Sequence, residues 1–343
     1  MGIPNRQPPE ITGDRALTVL YLTWGEVIVQ DGIFDNQVLE QLKLLRRTDP
    51  SLSLSLLSGM PLINRPLLKT RQSFYQDIER IRRELAAAQI DFAYRWIPAI
   101  ARWFHSQPYH FPVYALGQLR YLRNVIRTKK IQVVHCRGYH AARLALLAKD
   151  RYRLTCSVIF DTRGLFPEEG VFAGHFTQDS AAYRFWKKQE KWLLDRADAV
   201  VNVSDTFTTH VQTLTSNPRL ATIYTSANLE LFQRNAIPGA CDAASGVEAR
   251  LAQRRALNID DVTKVLVYSG SIGVDQGWHR VKNLAALFQA FQQAFDRTKL
   301  LIVTRGSHAA LRTALDQIPG LSDQYLLVTG KSPQETASYS ISR

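Results

Sequence analysis

Residues 130–161, KIQVVHCRGYHAARLALLAKDRYRLTCSVIFD, contain a strand, a helix and a second strand in direct succession. Both strand segments are apolar runs, which are typical of a sheet covered on both of its faces. Strands that alternate with helices in this way predict a parallel sheet in an α/β protein. Because such sheets bind ligands at the carboxyl ends of their strands, the residues that follow these two strands are candidates for a functional site.

The same alternation extends over most of the 343 residues. It includes ALTVLYLTW (16–24), SLSLSL (51–56) and ADAVVNVS (197–204), and it restarts with KVLVYSGSIG (264–273), KLLIVTRGS (299–307) and YLLVTG (325–330). Two such arrays predict two doubly wound, Rossmann-like domains, since single cores seldom grow beyond about 300 residues. We predict a first domain at 15–225, a crossing segment and linker at 226–262, and a second domain at 263–343.

A basic, aromatic segment at residues 65–130 separates the second and third predicted strands. Its apolar residues recur at helical spacing, which predicts helices that pack on the core, whereas its many arginines lie off that stripe. The chain has a net charge of +13, which favours a polyanionic partner such as an anionic membrane surface or a phosphorylated ligand. A nucleic acid would also fit this charge, but no recognised nucleic-acid motif is present, so we expect no nucleic-acid partner. A basic nucleic-acid-binding protein is the third alternative function, and a charge that serves only solubility is the alternative to any partner.

The segment VIFDTRGLFPEEG, residues 158–170, places an unusual group of charges after a buried strand. Asp161, Arg163, Glu168 and Glu169 lie within nine residues of one another. Exposed ion pairs contribute only about 0 to 1 kcal/mol, so stability is a weak reason for such a cluster. We predict that these four residues belong to a functional site, and the alternative is an Arg–Glu pair that rigidifies the loop.

A second candidate site follows the strands of the second array. Gly270, Ser271 and Gly273 form a small-residue turn whose backbone N–H groups are predicted to approach a diphosphate at a helix N-terminus. Lys282 in the next helix is a possible countercharge, and Thr304 and Gly306 repeat the arrangement one strand later. A tight strand–helix turn without a ligand is the alternative. No metal-ligand cluster and no dinucleotide or P-loop motif is present.

Six segments in order carry a resemblance to a known family. They are GIFDNQVLEQL, VVHCRGYHAARLALLAK, FDTRGLFPEE, ADAVVNVSDTF, YTSANLELF and VLVYSGSIG. Together they resemble the retaining glycosyltransferases of family 4, which have the GT-B architecture of two Rossmann-like domains that face a cleft. In many relatives a histidine stands at the position of Arg163. The guanidinium of an arginine stays protonated and cannot act as a general base, but it can pair with a phosphate or a carboxylate. The resemblance therefore implies an electrostatic catalytic role for Arg163, with Asp161, Glu168 and Glu169 orienting it or binding acceptor hydroxyls.

The resemblance also implies an activity and a location. It implies transfer of a sugar from a nucleotide-diphosphate donor, the co-substrate, to a surface-polysaccharide or lipid-linked glycan acceptor, without a further cofactor or a metal. It places the protein in the cytoplasm, peripheral on the inner face of the membrane. The E-x7-E motif of the family's donor domain does not occur in the 343 residues. We therefore expect an incomplete second domain, and the alternative function is that of an inactive GT-B homologue that acts as a scaffold.

Overall fold

The computed structural model divides the chain into two units, Met1–Ser226 and Ala227–Arg343. It describes residues 16–28, 32–61, 71–97, 111–225, 243–274, 280–304 and 308–329. Within these ranges every strand pairing of the two sheets is parallel, as the alternation predicted.

Unit 1 is built on a seven-stranded sheet. Its strands are β1 (Thr18–Trp24), β2 (Ser53–Pro61), β3 (Asp91–Ile97), β4 (Val133–Arg137), β5 (Ser157–Asp161), β6 (Ala199–Asn202) and β7 (Leu220–Thr222). They lie in the order β3-β2-β1-β4-β5-β6-β7, so the chain fills one side of β1 first and the other side afterwards. This reversal of direction between β1 and β4 is the topological switch point of a doubly wound sheet.

Helices cover both faces of this sheet. A helical turn (Gly32–Phe34) and a π-helical turn (Asp35–Leu39) lead into α1 (Glu40–Thr48), followed by α2 (Arg71–Ala87), α3 (Phe111–Thr128), α4 (Gly138–Tyr152), α5 (Phe166–Phe172), α6 (Ala181–Arg196) and α7 (Asp205–Gln212). Leu42 of α1 and Ile81 of α2 pack with Tyr21 in the core on one face. On the other face, Leu122 of α3 and Trp186 of α6 pack with Leu22. The alternating side chains of β1 therefore pack into two separate cores, one on each face of the sheet.

The structure corrects the prediction for residues 65–130 in one respect, because strand β3 lies between helices α2 and α3. In DFAYRWI the residues Phe92, Tyr94 and Trp96 alternate with smaller or charged ones, and all three pack against the core of Tyr21. A period of two residues is that of a half-buried strand. It was hidden between two longer segments of helical periodicity.

Unit 2 contains a three-stranded parallel sheet in the order β10-β9-β8. Its elements are α8 (Ala243–Ala256), β8 (Lys264–Ser269), α9 (Val281–Ala294), β9 (Thr298–Thr304), α10 (His308–Asp316) and β10 (Tyr325–Thr329). Phe288 of α9, Leu300 of β9 and Leu315 of α10 form the centre of its core. Within the described ranges of both units, no helix is long and apolar enough to cross a membrane.

Candidate functional site

The charged residues of unit 1 meet at the carboxyl ends of β1, β4 and β5. Glu26 follows β1, Arg137 ends β4, and Asp161 ends β5. Arg137 and Asp161 are directly paired across the two strands. Because β1 and β4 flank the topological switch point, these side chains occupy the region where open α/β sheets bind ligands.

Arg137 is held by two partners from the first strand–helix unit. Its Nε donates to Glu26 Oε2 at 3.0 Å, and its Nη2 donates to Gln37 Oε1 at 3.1 Å. The residue is only 8% exposed. A guanidinium buried to this degree requires charge pairing and hydrogen bonds, which Glu26 and Gln37 supply.

Arg163 lies next to Arg137 and shares one of its partners. Its Nη2 donates to Gln37 Oε1 and, at 3.4 Å, to Thr225 Oγ1, while its Nη1 lies 3.7 Å from Asp161 Oδ2. The amide oxygen of Gln37 therefore accepts hydrogen bonds from two guanidinium groups. The structure thus brings together two of the predicted catalytic residues, Asp161 and Arg163.

The backbone at Arg163 is strained. Its φ of +58° lies in the left-handed region, and the N–H of Gly164 donates to the carbonyl of Thr162 at 2.7 Å across it. A three-residue turn with positive φ at its central residue is rare and costs free energy. Thr162 anchors the turn, because its N–H donates to Val201 O at 3.0 Å and its hydroxyl donates to Asn202 Oδ1 at 3.0 Å. Strain of this kind concentrates at functional sites.

Asp161 also contacts a histidine on the sheet face below it. His135 Nε2 lies 3.3 Å from Asp161 Oδ2, and its ring stacks on Tyr21 with centroids 4.7 Å apart. Burial, followed by the charge of Asp161, raises the pKa of Tyr21 well above its ordinary value, so the phenol stays protonated. Tyr21 and His135 therefore form a stacked layer under the charged residues.

Four buried polar atoms of this cluster have no hydrogen-bond partner among the described residues. They are Tyr21 Oη, Arg137 Nη1, Asp161 Oδ1 and Arg163 Nε. Most buried polar atoms in proteins are hydrogen-bonded, and unpaired ones require an explanation such as a ligand or a catalytic role. Their concentration in one cluster makes the carboxyl ends of β4 and β5 the candidate site of unit 1.

The two predicted glutamates, Glu168 and Glu169, contact residues other than the guanidinium of Arg163. Glu168 Oε1 accepts from Lys187 Nζ at 2.9 Å and from the Tyr183 hydroxyl at 3.2 Å, so it connects α5 to α6. Glu169 lies against Gly164, where an added Cβ would stand 1.9 Å from Glu169 Oε1. Burial raises the pKa of Glu169. Glu169 therefore packs against the loop of Arg163, whereas Glu168 is engaged by α6.

In unit 2 the predicted phosphate contacts lie at the ends of β8 and β9. Gly270 has a φ of +150°, and its N–H donates to Val303 O at 3.0 Å, so this amide is already engaged. The carbonyl of Ser271 accepts from the Tyr268 hydroxyl at 2.6 Å. Of the other predicted residues, Gly273 precedes α9 and Lys282 is exposed in the first turn of α9. Thr304 is buried at the end of β9. Gly306 lies outside the described residues.

Sequence reasoning did not assign roles to Glu26, Gln37 or Arg137. A signal for Arg137 was present, because β4 and the loop after β5 each contain an Arg–Gly pair, at Arg137–Gly138 and Arg163–Gly164. His140, in the first turn of α4, is buried, and its ring packs edge-on against Trp186 at 4.9 Å.

Comparison with known proteins gives one family match and several similar folds. Residues 80–231 match the profile of the family described as Glycosyltransferase Family 4. A search of curated protein sequences gave no significant match. Among solved structures, HepE of Anabaena in complex with UDP and glucose is similar, with a TM-score of 0.54, 12% identity and coverage of 93% of this chain and 71% of that chain.

Two other solved structures have the same degree of similarity. A glycosyltransferase from Rickettsia africae has a TM-score of 0.59 at 13% identity, and the match covers 93% of this chain and 70% of that chain. Sucrose-phosphate synthase from Thermosynechococcus elongatus has a TM-score of 0.57 at 15% identity, with coverage of 95% and 73%. At such low identity these likenesses establish the fold alone. The chain therefore has the GT-B fold, and its residues 80–231 match a glycosyltransferase family 4 domain.

Proposed function

We propose that this chain transfers a sugar from a nucleotide-diphosphate donor to a surface-polysaccharide or lipid-linked glycan acceptor, with retention of configuration. The observation that carries the proposal is Arg163, which is held in a strained turn at the carboxyl end of the sheet in a family 4 domain. Transfer breaks the bond between the sugar C1 and a diphosphate oxygen, and the acceptor oxygen bonds to C1. The acceptor's proton leaves with the diphosphate.

Arg163 serves this reaction as an electrostatic catalyst. Negative charge develops on the diphosphate as it departs, and a preorganised cation stabilises that charge without reorganisation at the moment of reaction. Asp161 keeps the guanidinium in place through the contact of 3.7 Å. Its second oxygen, Oδ1, is the acceptor that a sugar hydroxyl of the glycan would use. Glu168 and Glu169 hold the loop that carries Arg163.

On the donor side we propose that the ends of β8 and β9 bind the nucleotide sugar. Ser271 and Gly273 supply the turn, Lys282 supplies a charge, and Thr304 supplies a hydroxyl at the end of β9. HepE of Anabaena was crystallised with UDP and glucose, which supports a nucleotide sugar as the donor class.

We further propose that the protein works in the cytoplasm, peripheral on an anionic membrane face. On α2, Arg80 Nη2 donates to both oxygens of Asp35 at 3.0 and 3.1 Å, and Arg82 pairs with Glu79, so these two charges are neutralised. On α3, by contrast, Arg120 and Arg127 are exposed, and Arg123 lies over the ring of Tyr152 at 4.9 Å. Each basic side chain near an anionic bilayer contributes about 1 kcal/mol of binding.

A donor screen tests the proposed activity. Calorimetric titration with a panel of nucleotide sugars identifies the donor, and release of nucleoside diphosphate with water as acceptor measures turnover before the glycan acceptor is known. We expect Arg163→Ala to lower turnover at least about 100-fold, the range for the loss of one preorganised stabilising group, with little change in melting temperature. Arg255→Ala, at an exposed position of α8, is the matched control and should leave turnover unchanged.

Two results would count against the proposal. If Arg163 only rigidifies its loop, the melting temperature falls and turnover per folded molecule stays near that of the wild type. If no nucleotide sugar binds and none is consumed, the chain is the inactive scaffold that the sequence left as an alternative.

A further inference from the structure

Gln37 occupies an unusual element at the candidate site. It lies in the π-helical turn Asp35–Leu39, in which the N–H of Glu40 donates to the carbonyl of Asp35 five residues earlier. Single π-helical turns inside α-helices are rare and occur frequently at functional sites. The turn is held to α2 by Arg80, whose Nη2 donates to both carboxylate oxygens of Asp35. The backbone that carries Gln37 is therefore held from a neighbouring helix.

The side chain of Gln37 joins two cations that would otherwise repel each other. Its Oε1 accepts from Nη2 of both Arg137 and Arg163. An amide oxygen binds the two guanidinium groups without cancelling either charge, whereas a carboxylate at this position would neutralise one of them. Each arginine keeps one unpaired buried N–H among the described residues, Nη1 of Arg137 and Nε of Arg163. The hydrogen bonds of the two arginines are thus incompletely satisfied, and Gln37 adds no negative charge to that of Glu26, which pairs with Arg137, and of Asp161, which lies 3.7 Å from Arg163.

We propose that Gln37 is a positioning residue, which fixes Arg163 beside Arg137 so that the two guanidinium groups bind phosphoryl oxygens as one unit. Arg137 is then a second binding residue of the site. The inference rests on the proposed function, because it names the chemistry that the same site recognises. The phosphoryl oxygens belong either to the diphosphate of the donor or to a phosphate on the acceptor. Arginine pairs suit this ligand because the planar guanidinium matches phosphate geometry.

The test is a double-mutant cycle with inorganic pyrophosphate as the probe, on the full chain. Calorimetric titration gives the Kd for the wild type, Gln37→Leu, Arg163→Gln and the double variant. We expect Gln37→Leu to weaken binding about 10-fold, the effect of one hydrogen bond to a charged group, at an unchanged melting temperature. In the Arg163→Gln background the same change should have no further effect, because Gln37 acts through Arg163.

Two further variants keep the test decisive. Gln37→Asn retains the amide but is one methylene too short, so it should reproduce the loss even if Gln37→Leu folds poorly. Arg255→Gln removes one exposed charge from α8 and should leave the Kd unchanged. Repeating the cycle with UDP and with inorganic phosphate separates the two sources, since a Gln37 effect confined to pyrophosphate and UDP assigns the site to the donor diphosphate.

Three outcomes overturn the inference. They are no pyrophosphate binding by the wild type, an unchanged Kd in Gln37→Leu and Gln37→Asn, and a full additional loss from Gln37→Leu in the Arg163→Gln background. Failure of the proposed function can be told apart from failure of this inference. In that case no donor is turned over, but the double-mutant cycle with pyrophosphate still shows coupling between Gln37 and Arg163.

Discussion

Removal of the Tyr139 hydroxyl is a sharp test of how the family 4 domain is held together. Tyr139 in α4 is 4% exposed, and its hydroxyl donates to Glu190 Oε1 of α6 at 2.6 Å. Glu190 is 2% exposed, and its other oxygen accepts from Lys187. In Tyr139→Phe the ring stays in its contacts with Phe160 and Phe166, but one oxygen of a buried carboxylate loses its donor.

The magnitude follows from this burial. A hydrogen bond to a charged group contributes about 1.5 to 3 kcal/mol, and an unsatisfied buried oxygen keeps its full desolvation cost. In a unit of this size, each kcal/mol shifts the melting temperature by about 2 to 4 °C, so we expect a decrease of roughly 3 to 12 °C. Tyr224→Phe deletes the same hydroxyl from an exposed pair with Asp205 Oδ2 at 2.5 Å, and it should leave the melting temperature unchanged.

The dependence of unfolding stability on pH in the alkaline range gives an independent check. Burial, followed by the charge of Glu190, raises the pKa of Tyr139 above its ordinary value of 10.0. A group whose pKa is raised on folding stabilises the protein below its unfolded pKa, and this stabilisation is lost as the pH rises above it. The difference between wild type and Tyr139→Phe should therefore shrink above about pH 10. Calorimetric unfolding at several pH values measures both effects. Equal decreases in Tyr139→Phe and Tyr224→Phe would refute the reasoning.

The remaining predictions concern the membrane and the loop of Arg163. The protein should sediment with vesicles that contain anionic lipid and be released as the salt concentration rises. The double variant Arg120→Glu/Arg127→Glu should weaken this binding, while the same charge change at Lys264 and Arg312 of unit 2 should not. Equal binding to neutral vesicles would contradict the proposed membrane association. Because burial raises the pKa of Glu169, the contribution of this residue to stability falls as pH rises from the unfolded value of about 4.3 through the folded one. Glu169→Gln should thus match the wild type near pH 4 and be more stable at pH 7 in urea unfolding, and a variant less stable at pH 7 would show that the carboxylate is needed in its charged form.

Local periodicity was sufficient to predict most of the sheet and one part of the site. The strands that begin at Thr18, Val133 and Ser157 are apolar runs bounded by helical patterns, and each is recognisable within about ten residues. The end of a strand in a parallel sheet is also a local property. The placement of Asp161 and Arg163 at a carboxyl edge therefore follows from the order of elements alone.

The partners of these residues depend on contacts between distant parts of the chain. Gln37 lies 126 residues from Arg163 in sequence, and Glu26 lies 111 residues from Arg137. No pattern around Gln37 distinguishes it from an ordinary helical glutamine, because its role arises from a π-helical turn and from the order in which β1, β4 and β5 align. Glu168 is the opposite case. It is close to Arg163 in sequence, but its carboxylate accepts hydrogen bonds from side chains of α6 instead. Hydrogen bonds reach only about 3 Å, so strand order and helix packing decide which charges meet.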